Sequence, residues 1–213
     1  MSITQSRGIF NLRLQTNYIR QSRRIVCAAI DKNGVKKYND FVDEAALKIL
    51  KYGDDVLKVK ARAVTRIDQR IVELAKAMVQ IMHQAPGIGL AAPQVGESLR
   101  LITMDTSVGE IPEELLVLVN PEITASEGFE ICEEGCLSVP GYSLPVKRHA
   151  KVFLRATLLD GGEVRLELEG LKARVLQHEI DHLDGILIVD RISSLKRTLI
   201  RKEISQKRKS GQW

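Results

Sequence analysis

Apolar residues return along this chain with two different periods, and the switches between them mark out its elements. Ile67, Ile71, Leu74, Ala75, Met78 and Met82 recur at the spacing of one helix face and predict a helix over 67–84. Thr65, with Asp68 three residues on, predicts a capping box at its start, and Pro86 with Gly87 predicts its end. Residues 99–105 and 115–123 read as strands, with a loop carrying Gly109 and Pro112 between them. Val152, Leu154, Ala156 and Leu158 alternate as on one face of a strand. Asp160-Gly161-Gly162 then supplies a hairpin turn, and Val164, Leu166 and Leu168 continue the alternation on the return. A helix is predicted over 171–184, with Gly185 as its terminator. A last helix is predicted from near Ser193, with Leu195, Leu199 and Ile204 facing inward. Strands outnumber helices and do not alternate with them regularly. The expected class is therefore α+β: small antiparallel or mixed sheets packed around the helix at 171–184, with a C-terminal helix.

Composition narrows the setting. The chain has 213 residues, 44% of them hydrophobic, enough to bury a core. No apolar run reaches the ~20 residues that span a bilayer, so no membrane association is expected. Three cysteines (Cys27, Cys132, Cys136) make an odd, sparse set that argues for a reducing compartment. The net charge of +5 is unevenly distributed. Residues 1–30 hold five arginines and no acid, the composition of an organellar transit peptide. Residues 191–213 hold eight lysines and arginines against Glu203 alone. Such a cluster suits a polyanion such as RNA, or equally a solvated helix face. Three regions are expected: an N-terminal extension over 1–45, disordered or a targeting segment; a catalytic domain over 46–192; and a basic C-terminal helix or tail over 193–213.

The chemistry concentrates in three short runs. In Gln177-His178-Glu179-Ile180-Asp181-His182-Leu183-Asp184-Gly185, His178 and His182 lie four apart on one helix face, a spacing that lets two imidazoles grip one metal ion with Glu179 beside them as proton acceptor. No histidine follows His182. A third ligand must be an acid such as Asp184, Asp190 or Glu203, or else Cys136 in Glu134-Gly135-Cys136-Leu137-Ser138. A lone cysteine is more often a buried small hydrophobe, but the adjoining glycine and the missing third histidine favour Cys136. In Gly87-Ile88-Gly89-Leu90-Ala91-Ala92-Pro93-Gln94, the glycines let backbone approach a substrate and Gln94 offers an amide donor for an oxyanion. A plain turn is the bland alternative for that run.

Taken together and in this order, the three runs resemble those of peptide deformylase: Gly-Φ-Gly-Φ-Ala-Ala-x-Gln at 87–94, Glu-Gly-Cys-Leu-Ser at 134–138 and Gln-His-Glu-x-Asp-His-Leu-x-Gly at 177–185. Two nearby positions differ from many bacterial members, which have an acid where this chain has Pro86 and an arginine where Gly141-Tyr142-Ser143-Leu144 has none. The resemblance implies a hydrolase that removes the N-formyl group from the initiator methionine of nascent peptides and releases formate. It implies one divalent metal ion per chain on Cys136, His178 and His182, expected to be Fe2+, with Zn2+, Ni2+ or Co2+ as alternatives. It implies Glu179 as the proton-transfer group, and Gln94 with the backbone N–H of Leu137 as oxyanion donors. Gly89 is expected to contact the peptide backbone, and Ile88, Leu171 and Val175 to line the methionine slot. The C-terminal segment is expected to meet the ribosome near its exit tunnel. A monomer is expected in the bacterial cytoplasm, or in a plastid or mitochondrion if the N-terminus directs it there. The competing readings are a zinc endopeptidase using an acidic third ligand, and a non-catalytic ribosome-associated metal-binding module.

Overall fold

The structure, a computed structural model, describes residues 47–213. The extension expected over 1–45, and Cys27 within it, lie outside the described residues. Helix α1 spans Gln69–Gln84 and buries Ile71, Leu74, Ala75, Met78 and Met82, five of the six residues that predicted it. Its cap differs from expectation. Asp68 rather than Thr65 is the N-cap, and its Oδ1 accepts the Ile71 N–H at 3.2 Å. Ile71 is the third helical residue, the donor an N-cap carboxylate reaches best.

Among the described residues, five strands form one antiparallel sheet in the order β1-β2-β3-β6-β7: β1 Gly89–Ala91, β2 Leu101–Met104, β3 Leu116–Glu127, β6 Lys151–Thr157 and β7 Glu163–Glu169. Strand β3 runs four residues past its expected end at 123. Its first part pairs with β2, and after a register shift between Val119 and Glu122 the rest pairs with β6. β4, Glu130–Gly135, and β5, Ser143–Arg148, form a separate two-stranded sheet. Neither was predicted from the sequence. β4 buries a charged residue, Glu134, and β5 contains Pro145, which argues against a strand unless, as here, the sheet is narrow. The run at 87–94, read as a loop, is the edge strand β1 followed by a 3-10 turn over Ala92–Val95.

Helix α2, Gly170–Leu183, packs against β1, β2, β6 and β7, so the two-histidine helix lies on the sheet. It stops at Gly185, whose φ of +73° excludes most side chains and where a Cβ would come within 2.6 Å of the Lys58 carbonyl oxygen. Helix α3, Ser194–Lys209, begins at Ser193 as expected but presents a different face. Ile200 and Ile204 are buried, whereas Leu195 and Leu199 are 73% and 60% exposed. At ~100° per residue, Ile204 lies half a turn from Leu195, so the three leucine and isoleucine positions never formed one stripe. Ile200 and Ile204 pack instead with Val139, Leu144 and Val146, holding the β4–β5 sheet and the segment between its strands. No helix among the described residues is long and apolar enough to cross a membrane.

Candidate active site and metal centre

The turn that leaves β4 carries Cys136 to helix α2, and three ligand atoms converge there. Cys136 Sγ lies 3.3 Å from His182 Nε2, which lies 3.3 Å from His178 Nε2. All three fall within 4.8 Å of one another. Two ligand atoms held ~2.1–2.3 Å from one cation at a tetrahedral angle stand roughly 3.4–3.6 Å apart, close to the spacings seen, so the donor set fits one metal ion, and three ligands leave a fourth position for water or substrate. The acids that a zinc endopeptidase would need are engaged elsewhere: Asp184 with Arg100 at 2.8 Å, Asp190 with Arg201 at 3.1 Å and Glu203 with Lys207 at 2.9 Å.

A charged network orients these ligands. Glu134 accepts Arg148 Nε and Nη2 at 2.8 and 2.9 Å, and its Oε2 stands 2.9 Å from His178 Nδ1. That contact commits Nδ1 and leaves the His178 Nε2 lone pair for the cluster. Arg148 Nη1 donates to Asp181 at 2.5 Å, and Arg191 grips the same carboxylate from its other side. Burial pushes the Glu134 carboxyl up, but the bonds from Arg148 and His178 outweigh it and hold it down at about 2. Burial, with the charges of His178 and Arg148, keeps His182 well below the usual histidine range, as the neutral imidazole that ligates. Burial opposes charge on His178 too, yet Cys136 and Glu134 outweigh it and raise its pKa; a bound cation would displace that proton.

Glu179, the next residue on α2, is 3% exposed, and its Oε2 is buried with no hydrogen-bond partner among the described residues. Burial, opposed by the charges of His178 and Arg148, pushes its pKa up to about 7, the range in which a carboxyl exchanges protons at neutral pH. Gly89 on β1 touches it from the other side. A Cβ at Gly89 would stand 2.2 Å from Glu179 Oε1 and 2.9 Å from Val175 Cγ1. Gln94 is 1% exposed; its Oε1 accepts the Ala91 N–H at 2.8 Å and its Nε2 donates to Ser138 Oγ at 3.2 Å, which fixes the amide with its N–H2 toward Cys136 Sγ at 3.9 Å. The Leu137 N–H has no hydrogen-bond partner among the described residues.

These groups line a cleft of about 520 Å³. Ile88, Gly89, Gln94, Cys136, Leu137, Leu171, Val175, His178 and Glu179 all border it; His182 lies behind, 1% exposed. The structure thus gathers the three metal-ligand candidates Cys136, His178 and His182 and the other cleft candidates into one place, and leaves the acidic alternatives Asp184, Asp190 and Glu203 outside it. It adds residues the sequence reading passed over. Glu134 and Asp181 stood inside the quoted motifs as bystanders. Arg148, Arg191, Arg174 and Tyr142 were not singled out, because only folding brings Arg148 and Arg191 to Asp181 in the ligand network and Arg174 and Tyr142 to the cleft.

Known proteins agree with this geometry. A family model described as polypeptide deformylase matches residues 46–198. A peptide deformylase of Thermodesulfovibrio yellowstonii is 51% identical over 164 residues, covering 77% of this chain and 99% of that protein. The crystal structure of a peptide deformylase from Legionella pneumophila superposes with a TM-score of 0.72 at 42% identity, covering 78% of this chain and 96% of that one. A peptide deformylase from Synechococcus elongatus, solved in complex with actinonin, gives 0.68 at 38% identity over 79% and 91%.

Proposed function

This chain belongs to the polypeptide deformylase family, and from that premise we infer how its residues divide the work. As a member it is a metal-dependent hydrolase that removes the N-formyl group from the methionine of nascent peptides. The observation that carries our assignment of roles is the buried, unpartnered carboxylate of Glu179 beside the Cys136, His178 and His182 cluster. A site built only to hold a metal has no use for such a group.

Cys136, His178 and His182 would hold the metal, which when bound supplies Lewis-acid activation of water and of the formyl carbonyl. Glu179 takes the proton of the attacking water on its free oxygen and delivers it to the departing amine. The Gln94 Nε2 and the unused N–H of Leu137 meet the charge that develops on the formyl oxygen; losing one such donor typically costs ~3–4 kcal/mol. β1 is the edge strand of its sheet and borders the cleft, so the peptide backbone is positioned to lie along Gly89 as an added strand. Ile88, Leu171 and Val175 line the slot for the methionine side chain. Val175 is buried and Leu171 is 40% exposed, which places Leu171 nearer the mouth.

We assign Fe2+ as the resident metal. A thiolate with two imidazoles binds several divalent ions, and the assignment rests on family resemblance and on the air-sensitivity expected of iron on an accessible thiolate. A formate-release assay on formyl-Met-Ala-Ser, with anaerobically prepared enzyme and elemental analysis of the same sample, tests both readings. The expected result is turnover with about one iron per chain, lost in air and preserved by nickel or cobalt. Full, air-stable activity with zinc alone overturns the iron assignment. Glu179→Ala should retain its metal and lose turnover by on the order of 10²–10⁴; near-normal turnover would remove Glu179 from the mechanism. We further read the chain as a cytoplasmic monomer whose basic C-terminal helix meets the ribosome, with 46–192 as the catalytic domain.

A further inference from the structure

The cleft contains one cationic side chain that no carboxylate among the described residues pairs with. Among the described residues, four arginines make no ion pair or hydrogen bond through their guanidinium: Arg62, Arg66, Arg174 and Arg208. Arg62, Arg66 and Arg208 are exposed, where water solvates the charge. Arg174 is partly buried and lines the cleft. Elsewhere the chain meets this situation with a carboxylate. Arg148, more deeply buried, has Glu134 and Asp181, and Arg100, its side chain 17% exposed, has Asp184. Arg174 has none.

Its position is set by α2. Leu171, Arg174, Val175 and His178 stand at i, i+3, i+4 and i+7 and form the stripe that this helix turns toward the cleft. Arg174 is therefore about one helical turn, ~6 Å, before the ligand His178 and beside the two aliphatic residues of the methionine slot. An extended peptide with its formyl group at the metal advances ~3.3 Å per residue. A guanidinium on a long side chain one turn away reaches the first two residues after methionine. The other charges that face the cleft leave this role open. Glu134 is neutralised by Arg148 and Glu179 is buried at the metal cluster, so only Glu133, which accepts Ser143 Oγ at 3.1 Å, adds a free negative charge.

Resting on the deformylase reading, we propose that Arg174 is a specificity-determining residue that selects formyl-methionyl peptides carrying aspartate or glutamate at the first or second position after methionine. A carboxylate there meets the planar guanidinium in a charge-assisted, two-point contact. Apolar and neutral side chains gain nothing from it, and a lysine or arginine is repelled.

The test compares C-terminally amidated formyl-Met-Ala-Ser, formyl-Met-Asp-Ser and formyl-Met-Ala-Asp on metal-loaded full-length enzyme at low ionic strength. Amidation removes the terminal carboxylate as a rival source of the same charge. The readout is the ratio of kcat/KM for each acidic peptide to that for the neutral one, measured within one preparation so that the folded or metal-loaded fraction cancels. The expected ratio is about tenfold at one of the two positions, falling to about one in Arg174→Gln and lying between in Arg174→Lys, which keeps the charge without the fork. A ratio near one in the wild-type enzyme, or a ratio unchanged by Arg174→Gln, overturns the proposal while leaving the deformylase reading intact. Failure to hydrolyse even the neutral peptide would overturn that reading instead, and the selectivity with it.

Discussion

Gly89 shows how tightly single residues are constrained here. Its missing side chain is the space in which Glu179 sits, since a Cβ would approach Glu179 Oε1 to 2.2 Å. The colliding atoms belong to side chains rather than backbone, so the fold can absorb an alanine by turning Glu179 aside and shifting Val175 by a few tenths of an ångström. Gly89→Ala should therefore shift the melting temperature little and lower kcat/KM by on the order of 10², the usual penalty for misplacing a reacting group. Thermal unfolding followed by circular dichroism, paired with the formate assay, separates the two effects; unaltered kinetics would mean that Glu179 tolerates displacement. Gly185 is bound by the opposite logic, because there a Cβ would meet the Lys58 carbonyl oxygen, and backbone cannot turn away.

At the scale of elements, α3 is the buttress of the cleft's outer wall. Its Ile200 and Ile204 pack with Val139, and the hydroxyl of the neighbouring Tyr142 accepts a hydrogen bond from Lys207 Nζ at 3.4 Å while its ring meets Trp213 at a tilt, centroids 6.2 Å apart. Val139, Pro140, Gly141 and Tyr142 border the cleft. Ile204 is 1% exposed, so Ile204→Ala should cost about 2–5 kcal/mol, whereas Leu199→Ala, at a position 60% exposed, should stay within about 0.5 kcal/mol. Denaturant titrations of the two variants test this difference. Equal losses would mean that α3 packs through the leucine face after all.

Considered whole, the molecule keeps its chemistry and its basic surface on different sides of the same helix. Lys196, Lys202 and Lys209 are exposed on α3, while its apolar face supports the catalytic turn. Deleting the helix would therefore confound ribosome binding with loss of the cleft wall. Replacing the three lysines by glutamine isolates the charge. The purified chain should sediment at its single-chain mass of 23.8 kDa, and its co-sedimentation with ribosomes should fall on substitution and with added salt, as phosphate contacts require. Undiminished co-sedimentation of the triple variant, or a dimer in its place, removes that reading.

Much of this was legible in the chain. Periodicity located α1, α2, β2, β3 and the β6–β7 hairpin, because a half-buried element must repeat its apolar positions to bury one face. The Cys136, His178 and His182 cluster and the groups we propose to act beside it could be singled out because such chemistry demands particular side chains at short, fixed spacings. Other features were decided only in three dimensions. β4 and β5 were hidden because β4 offers no apolar stripe and buries Glu134 against Arg148, while in β5 Pro145 and the buried Arg148 interrupt the short Leu144 and Val146 alternation. The inward face of α3 depended on which residues Val139 and Val146 had left uncovered, a fact of packing and not of period. Arg174, unpaired in the cleft, could be distinguished from any solvated arginine only once the carboxylates near it had been placed. Sequence specifies local geometry and chemical identity, whereas the pairing or isolation of a charge depends on residues far away along the chain.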